Sequence, residues 1–598
     1  MELPRRSPTD VYTRPGEYRE LERRIRTLYD PSDIPVVVAY AFDWRTRLGP
    51  FLFTDRMLIP AGPRAVASAL WAAGFTKIRI VLGEWNPKFR PSHARLDGEP
   101  PQMLLVSSMQ IHSAEAYRLI EDAWRMGEHR PLILAGGAKA IYEPWDLFGL
   151  GPDGTVGADC VVTGEEFVLL QLLERILEHR ARGETMLQAF RRVRDMGLLE
   201  DIPGLVYPPD DRQPPEYLIN TGIQRLVQNL DEHPHPIIGL GLLERPHHRA
   251  GLERRPIPLD RVRRFGKFVS LVTTHGCKFH CPYCPIPAYN QYTFRYKSPE
   301  RLVDEMRVIA ERTGLTTFFG TDDNFFNNRM AVEELFDAMA RGRIGHKRFR
   351  DAIWFGTEAT EYDVYKNRDL LPLGREAGLR AIWFGIEDMT AELVKKGQSP
   401  EKTVELFRLM NSLGIAPMSM MMHHDGQPLY TRGSLYGLIN QVNYLRKVGS
   451  ASVQVTILTP SVGSRSYEET FQRGIVMKTV AGKPVEDFRY DGNHCIATEH
   501  PKPWRMQLHL FAAYATFYNP LNLLRTLLRP WDKCYYEKMV YQVYGMAALV
   551  RSALAARHWI LDLIKGPIER FTVPPEPKFR MVPASGVSAA LLHYSRAS

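Results

Sequence analysis

Cysteine is scarce in this chain, six in 598 residues. That is far too few for the disulfide framework of a small secreted domain. The opening residues, MELPRRSPTD, run into charge without an apolar stretch, so no secretory leader is expected. No run of about 18 apolar residues occurs, so no membrane-spanning helix is expected. Charge of one sign is barely in excess: 77 Lys and Arg against 68 Asp and Glu give +9, mild for this length and no nucleic-acid signature. A G-x-G-x-x-G segment after the first strand is missing, which removes a nicotinamide fingerprint. With 44% hydrophobic and 24% charged residues the chain is nonetheless an ordinary folded protein, long enough for three to four folding units at roughly 150 residues each.

The residues that are present alternate between strand and helix. After a charged extension (1–32), IPVVVAYAF (34–42), IRIVLG (78–83), MLLVSSM (103–109), PLILAGG (131–137) and ADCVVTG (158–164) are short apolar strands. Helical spacing occurs at 63–75, 113–124 and 166–179. This pattern predicts a doubly wound (Rossmann or flavodoxin-like) α/β domain with a parallel sheet covered on both faces, at 33–182. A proline-rich, basic connector follows at 183–262. A second series then begins: FVSLVTTHG, TTFFGTDD, AIWFGTEA, AIWFGIED, APMSMMM and SVQVTILTP, with helices between. Two of those helices open with Ser-Pro-Glu, an N-cap, a proline at the first helical position and an acid on the positive end of the dipole. AIWFGTE (352–358) recurs as AIWFGIE (381–387), each ending in a glutamate. Six such units predict a partial (β/α)6 barrel at 263–470 with polar residues at its mouth. A mainly helical cap is expected at 471–598.

Cys277, Cys281 and Cys284 lie in THGCKFHCPYCPIP, directly after the first strand of the second series. Three thiolates in C-x3-C-x2-C spacing suit an iron–sulfur cube and leave the fourth iron open. Zinc completed by His275 or His280 is the alternative, although structural zinc uses two separated ligand pairs and no second pair is present. The trio, with Tyr283 in the aromatic position before the third cysteine, resembles the radical S-adenosylmethionine superfamily. The resemblance implies a [4Fe-4S] cluster that chelates S-adenosylmethionine and cleaves it to a 5′-deoxyadenosyl radical. It also implies that Asp322, Asp323 and Asn324 meet the methionine amine, and that Glu358 and Glu387 meet ribose or substrate. The paired His423 and His424 with Asp425 depart from the family's glycine-rich turn, so substrate-specific chemistry is expected there, with Asp425 and Glu387 as catalytic candidates.

The first sheet carries small and polar strand ends at Ser107, Ser108, Gly136, Gly137, Thr163, Gly164 and Glu165, where an open α/β sheet receives a cofactor. A doubly wound domain followed by a connector and such a barrel resembles the cobalamin-dependent class B methyltransferases of that superfamily. This implies cobalamin, as methylcobalamin, moving a methyl group from S-adenosylmethionine to a carbon, either by a radical route or by the polar route of the tryptophan 2-C-methyltransferase type. No D-x-H-x-x-G segment offers a histidine to cobalt. His112 is the nearest candidate, with a packed or capping role the plainer reading, and Arg64 is expected near the crevice. Relatives that form rings rather than methylate share the same cofactors. A transfer-RNA methylthiotransferase would carry a second cysteine trio, and a corrinoid sensor would need only the first domain. The expected partners are a small-molecule or peptide substrate and an external electron donor of flavodoxin or ferredoxin type, in the cytoplasm. Basic amphipathic stretches within 504–571 either cap the barrel or touch a membrane surface.

Overall fold

The computed structural model describes residues 4–46, 56–391, 393, 395–397 and 399–588. Strands are numbered along the chain. The first sheet sets β3 (Ile78–Leu82), β1 (Val36–Tyr40), β4 (Met103–Ser107), β5 (Leu132–Gly136) and β6 (Cys160–Val162) side by side and parallel. Successive residues point to opposite faces, so each strand feeds two cores. Val36, Val38, Leu105 and Leu134 pack under helices Ala61–Ala72 and Glu166–His179. Val37, Ala39, Leu104 and Ile133 pack under helix Ser113–Trp124. Burial on both faces is why these strands read as continuous Val, Ile and Leu runs. The strand order reverses between β1 and β4, which places the ligand-accepting crevice of such a sheet at their C-terminal ends.

The second sheet is parallel throughout. β9 (Phe268–Leu271), β12 (Thr317–Gly320), β15 (Trp354–Ala359), β16 (Leu379–Glu387), β17 (Ala416–His423) and β18 (Ser452–Ile457) follow one another in space as in sequence. The two Ser-Pro-Glu openings act as read: the hydroxyls of Ser298 and Ser399 accept the backbone N–H groups of Arg301 (3.2 Å) and Lys402 (3.3 Å). Short hairpins β10–β11 (Thr274–His275, Arg295–Tyr296) and β13–β14 (Arg343–Ile344, Lys347–Arg348) decorate this series.

The chain interleaves more than its linear boundaries suggest. β2 (Leu58–Ile59), from the stretch assigned to the first domain, pairs with β9 and makes a seventh strand of the second sheet. The stretch read as a connector adds β7 (Leu205–Tyr207) and β8 (Tyr217–Asn220), antiparallel, to the first sheet. The stretch read as a helical cap returns at its end as β22 (Arg580–Pro583), parallel to β8. The β2–β9 and β22–β8 pairings join segments hundreds of residues apart and carry no local periodicity. The C-terminal region otherwise comprises a small antiparallel sheet of β19 (Met477–Val480), β20 (Lys483–Pro484) and β21 (Ile568–Arg570), and helices Pro503–Phe517, Pro520–Leu527 and Tyr535–Lys565. Tyr514 and Tyr518 on the first of these stretches satisfy the free edge of β18. Each hydroxyl accepts from and donates to one residue's backbone, Val455 and Val453 respectively, at 2.7–3.1 Å. That blocks an edge otherwise open to pairing. Among the described residues, no helix is long and apolar enough to cross a membrane.

Candidate functional site

Cys277, Cys281 and Cys284 sit between the two strands of the β10–β11 hairpin, half-buried and with free thiols. Gly276 starts the loop at φ +98°, and a β-carbon there would overlap the Thr293 carbonyl oxygen. The loop is pinned from two sides. From the second sheet, the Asp323 carboxylate accepts the Gly276 N–H (2.7 Å) and the Asn290 amide (2.9 Å). From the first, Glu165 takes a forked ion pair from Arg295 of β11, at 2.6 and 3.1 Å, and also accepts the Val227 N–H. Burial alone would push the Glu165 carboxyl up, but Arg295 more than reverses this and holds it at about 2. Burial pushes the thiols of Cys277 and Cys284 up to about 11 and about 12, so loading with metal would release protons.

His280 stacks on Tyr292 with ring centres 4.9 Å apart, and burial followed by Arg295 lowers His275 to about 3. Among the described residues, no three His, Cys, Asp or Glu side chains converge as around a single ion. A cube takes one thiolate at each of three corners and needs no such convergence. Three free thiols on one loop therefore fit an iron–sulfur cluster.

The strand ends divide into scaffold and mouth. Asp322, expected at the methionine amine, is buried with one oxygen accepting from the backbone and hydroxyl groups of Thr273 and Thr274 (2.6–3.2 Å) and the other from the Thr357 hydroxyl (2.8 Å). It ties β9, β12 and β15 together. Asn324 is likewise engaged, donating to Asp363 (2.8 Å) and accepting the Thr360 N–H (3.2 Å). Asp425 is exposed and accepts from the Thr498 hydroxyl and the Glu499 N–H, fastening the C-terminal region rather than facing the mouth. His423 bridges Gln427 (2.8 Å) and His509 (3.0 Å), and burial lowers it to about 4, so it stays neutral; His424 beside it is half-buried.

Glu358 and Glu387 remain at the mouth. Glu387 has φ +60° at a register shift in β16, and a side chain on Gly385 would come within 2.7 Å of its carboxylate. Such a bulge re-aims a side chain. Here it brings Glu387 to Lys396 (2.9 Å), whose ammonium lies 6.0 Å from the Tyr283 ring centre. Burial and the Glu387 carboxylate push the Tyr283 phenol up. Glu358 has no hydrogen-bond or ion-pair partner among the described residues, and burial, with Asp322 and Asp323 nearby, pushes it up to about 8. An acid raised by folding favours the fold when protonated, and that advantage is lost as pH rises from about 4.3 through 8. Glu358→Gln should thus raise the melting temperature of the metal-free protein clearly at pH 9 and little at pH 5. An equal shift at both pH values would show that the charge of Glu358 costs the fold nothing.

A cavity of about 310 Å³ joins the two sheets. Ser107, Gly136, Gly137, Gly164 and Glu165 line it from the first sheet, and Ser270, Leu271, Val272 and His275 from the second. Its deeper wall is apolar: Val38, Leu105, Leu134 and Val162 with Val66 and Leu169 from the covering helices. A β-carbon on Gly136 would meet only the Val162 carbonyl oxygen, at 3.9 Å, so the glycine leaves open space above the strand end. Ser108 and Thr163 are not on this wall. Their backbone N–H groups go to Gly136 (3.1 Å) and Gly204 (2.8 Å). Arg64, fully buried on the cavity wall, donates to the carbonyls of Pro60 (2.9 Å) and Ser270, and its remaining terminal nitrogen has no partner. Burial lowers it to about 10. His112 accepts the Asp43 N–H (3.0 Å) and packs on Phe42, the structural role expected of it. Arg295, Lys396 and His509 were invisible to sequence reasoning, because each meets its partner only through the fold.

Residues 271–435 match the family described as Radical SAM superfamily. The chain is 23% identical over 383 residues to an uncharacterized methyltransferase, PH0819, of Pyrococcus horikoshii, covering 63% of this chain and 71% of that one. It is 27% identical over 217 residues to the cytidylyl-2-hydroxyethylphosphonate methyltransferase of Streptomyces wedmorensis, 34% and 38% of the two chains. In fold it resembles the radical S-adenosylmethionine methyltransferase TsrM of Kitasatospora setae, solved with cobalamin and a [4Fe-4S] cluster bound. The TM-score is 0.55 at 17% identity, over 86% of this chain and 98% of that one. The cysteine loop, the parallel half-barrel around it and the matched residues together make 271–435 a radical SAM domain, set against a parallel sheet in an arrangement this chain shares with TsrM.

Proposed function

We propose that the chain is a cobalamin-dependent radical S-adenosylmethionine C-methyltransferase acting on a carbon of an at least partly apolar small molecule or natural-product intermediate. The observation that carries this reading is the shared cavity. It touches both the crevice of the first sheet and the strand that leads into the cysteine loop. When bound, the cluster supplies the electron that cleaves S-adenosylmethionine and cobalamin carries the methyl group.

Cys277, Cys281 and Cys284 would hold three irons. Glu358, neutral while unpaired beside Asp322 and Asp323, would ionise against the positive charge of S-adenosylmethionine. Ser107, Gly136, Gly137 and Gly164 offer a hydroxyl and close backbone approach to a corrin. Arg64 offers a desolvated N–H to the same ligand, and the apolar deeper wall keeps water out. Trp383 meets Phe319 and Trp354 edge to face on the second sheet, with ring centres 4.9 and 6.3 Å away, which supports an apolar contact for substrate. An external donor of flavodoxin or ferredoxin type would supply the electron.

The test is anaerobic reconstitution with iron, sulfide and hydroxocobalamin, then S-adenosylmethionine and reductant, comparing wild type with Cys281→Ala. Retained cobalamin with S-adenosylhomocysteine and 5′-deoxyadenosine, the latter lost in the variant, is the expected result. S-adenosylhomocysteine without deoxyadenosine would mark the polar route. Deoxyadenosine alone would replace methylation by ring formation, and failure to hold cobalamin would overturn the reading of the first sheet.

A further inference from the structure

The helix Tyr535–Lys565 has its amphipathicity reversed. Its buried positions are mostly small or polar: Gln542, Gly545, Ala548, Ser552 and Ala556, with Trp559 and Leu563 near its end. Small residues let it pack closely, and a β-carbon on Gly545 would overlap the Tyr518 ring. The large apolar side chains lie on the other side. Tyr536, Val543, Val550, Leu554 and Leu561 are all exposed, Val550 by 63% and Leu554 by 57%. Their spacings of seven, seven, four and seven residues bring them onto one stripe along the helix. The neighbouring helix Pro520–Leu527 continues the surface with exposed Leu521, Leu524 and Leu527, followed by Leu528 and by Trp531, which is 77% exposed. Exposed apolar side chains in this number, on two helices that pack against each other, mark an interaction site.

The charges beside the stripe have one dominant sign. Arg551, Arg557 and Lys565 are exposed on the long helix, and Arg529 and Lys533 flank Trp531; none has an acidic partner among the described residues. The two carboxylates of the long helix are engaged elsewhere, Glu537 accepting from the Trp354 indole (3.1 Å) and Asp562 lying 3.6 Å from Lys483. A second copy of the chain would bring these like charges together across a two-fold axis. A surface that is apolar at its centre and negative at its boundary complements both features.

We propose that this face lies on an anionic lipid bilayer, with the leucines, valines and Trp531 entering the boundary and the flanking cations meeting the headgroups. Among the described residues no helix is long and apolar enough to span, so the contact proposed is in the plane of the membrane. The proposal is independent of the methyltransferase reading.

The test is co-sedimentation of the full chain with vesicles of phosphatidylcholine alone and of phosphatidylcholine mixed with phosphatidylglycerol, at low and high salt. The expected result is binding to the mixed vesicles, weakened by salt, and a loss of roughly tenfold or more in partitioning for Leu528→Glu/Trp531→Glu and for Val550→Glu/Leu554→Glu. All four side chains are exposed, so each pair should keep the wild-type melting temperature, and two pairs guard against one that misfolds. Failure to bind the mixed vesicles, or binding that both folded pairs leave unchanged, would overturn the proposal. So would a light-scattering dimer that the same substitutions dissolve without vesicle binding, since a second copy would then cover the face.

Discussion

Gly276→Ala is expected to leave the reconstituted protein with at most about a tenth of its iron and sulfide, a loss large enough to read from metal content alone. Two effects add. A side chain at φ +98° disfavours the backbone by about 1–2 kcal/mol. The larger effect is steric, because the added carbon overlaps the Thr293 carbonyl oxygen, which is backbone and cannot turn aside. The hairpin must open, and opening it draws the Gly276 N–H away from Asp323, one of the two pins of the cysteine loop. Gly136→Ala is the contrast: its new carbon enters open space, so iron content should stay at the wild-type level. Full iron content in Gly276→Ala would mean that the loop tolerates an open hairpin.

Removing the other pin should cost stability. Glu165→Ala leaves the Arg295 guanidinium buried with only the Val227 and Asn290 oxygens for partners. Breaking a buried pair from one side costs about 3–5 kcal/mol, whereas replacing both partners by apolar groups is often neutral. Urea unfolding of the metal-free protein should show that loss for Glu165→Ala and a substantial recovery in Glu165→Ala/Arg295→Met. The acid side gives an independent check. Because Glu165 is held at about 2, its contribution is present above the ordinary carboxylate range and fades as pH falls from about 4.3 toward 2. A single variant within 1 kcal/mol of wild type would show that the pair does not join the two sheets energetically.

How much of this was legible beforehand follows from the range of each signal. Six barrel strands and both Ser-Pro-Glu caps were legible because a strand or a cap is written within ten residues. The cysteine trio was legible for the same reason. Asp322 and Asp323 show the limit: both follow β12, yet one knits strands together and the other grips the cysteine loop, and the sequence does not say which way each turns. Glu165 and Arg295 lie 130 residues apart, and nothing local to either names the other. Lys396 follows Glu387 closely, but only the bulge at Gly385 shows why they meet.

The pairing of β22 with β8 has a consequence for how the protein is made. As the chain emerges from the ribosome, β8 is complete hundreds of residues before the strand that will cover it. β2, in turn, waits for β9. The nascent first sheet therefore carries an open edge at β8 through much of synthesis, a template for pairing with the wrong chain. A polypeptide halted before residue 580 would carry the whole cysteine loop and still lack the strand that finishes its first sheet. Slow or interrupted translation should accordingly favour aggregation over partial activity.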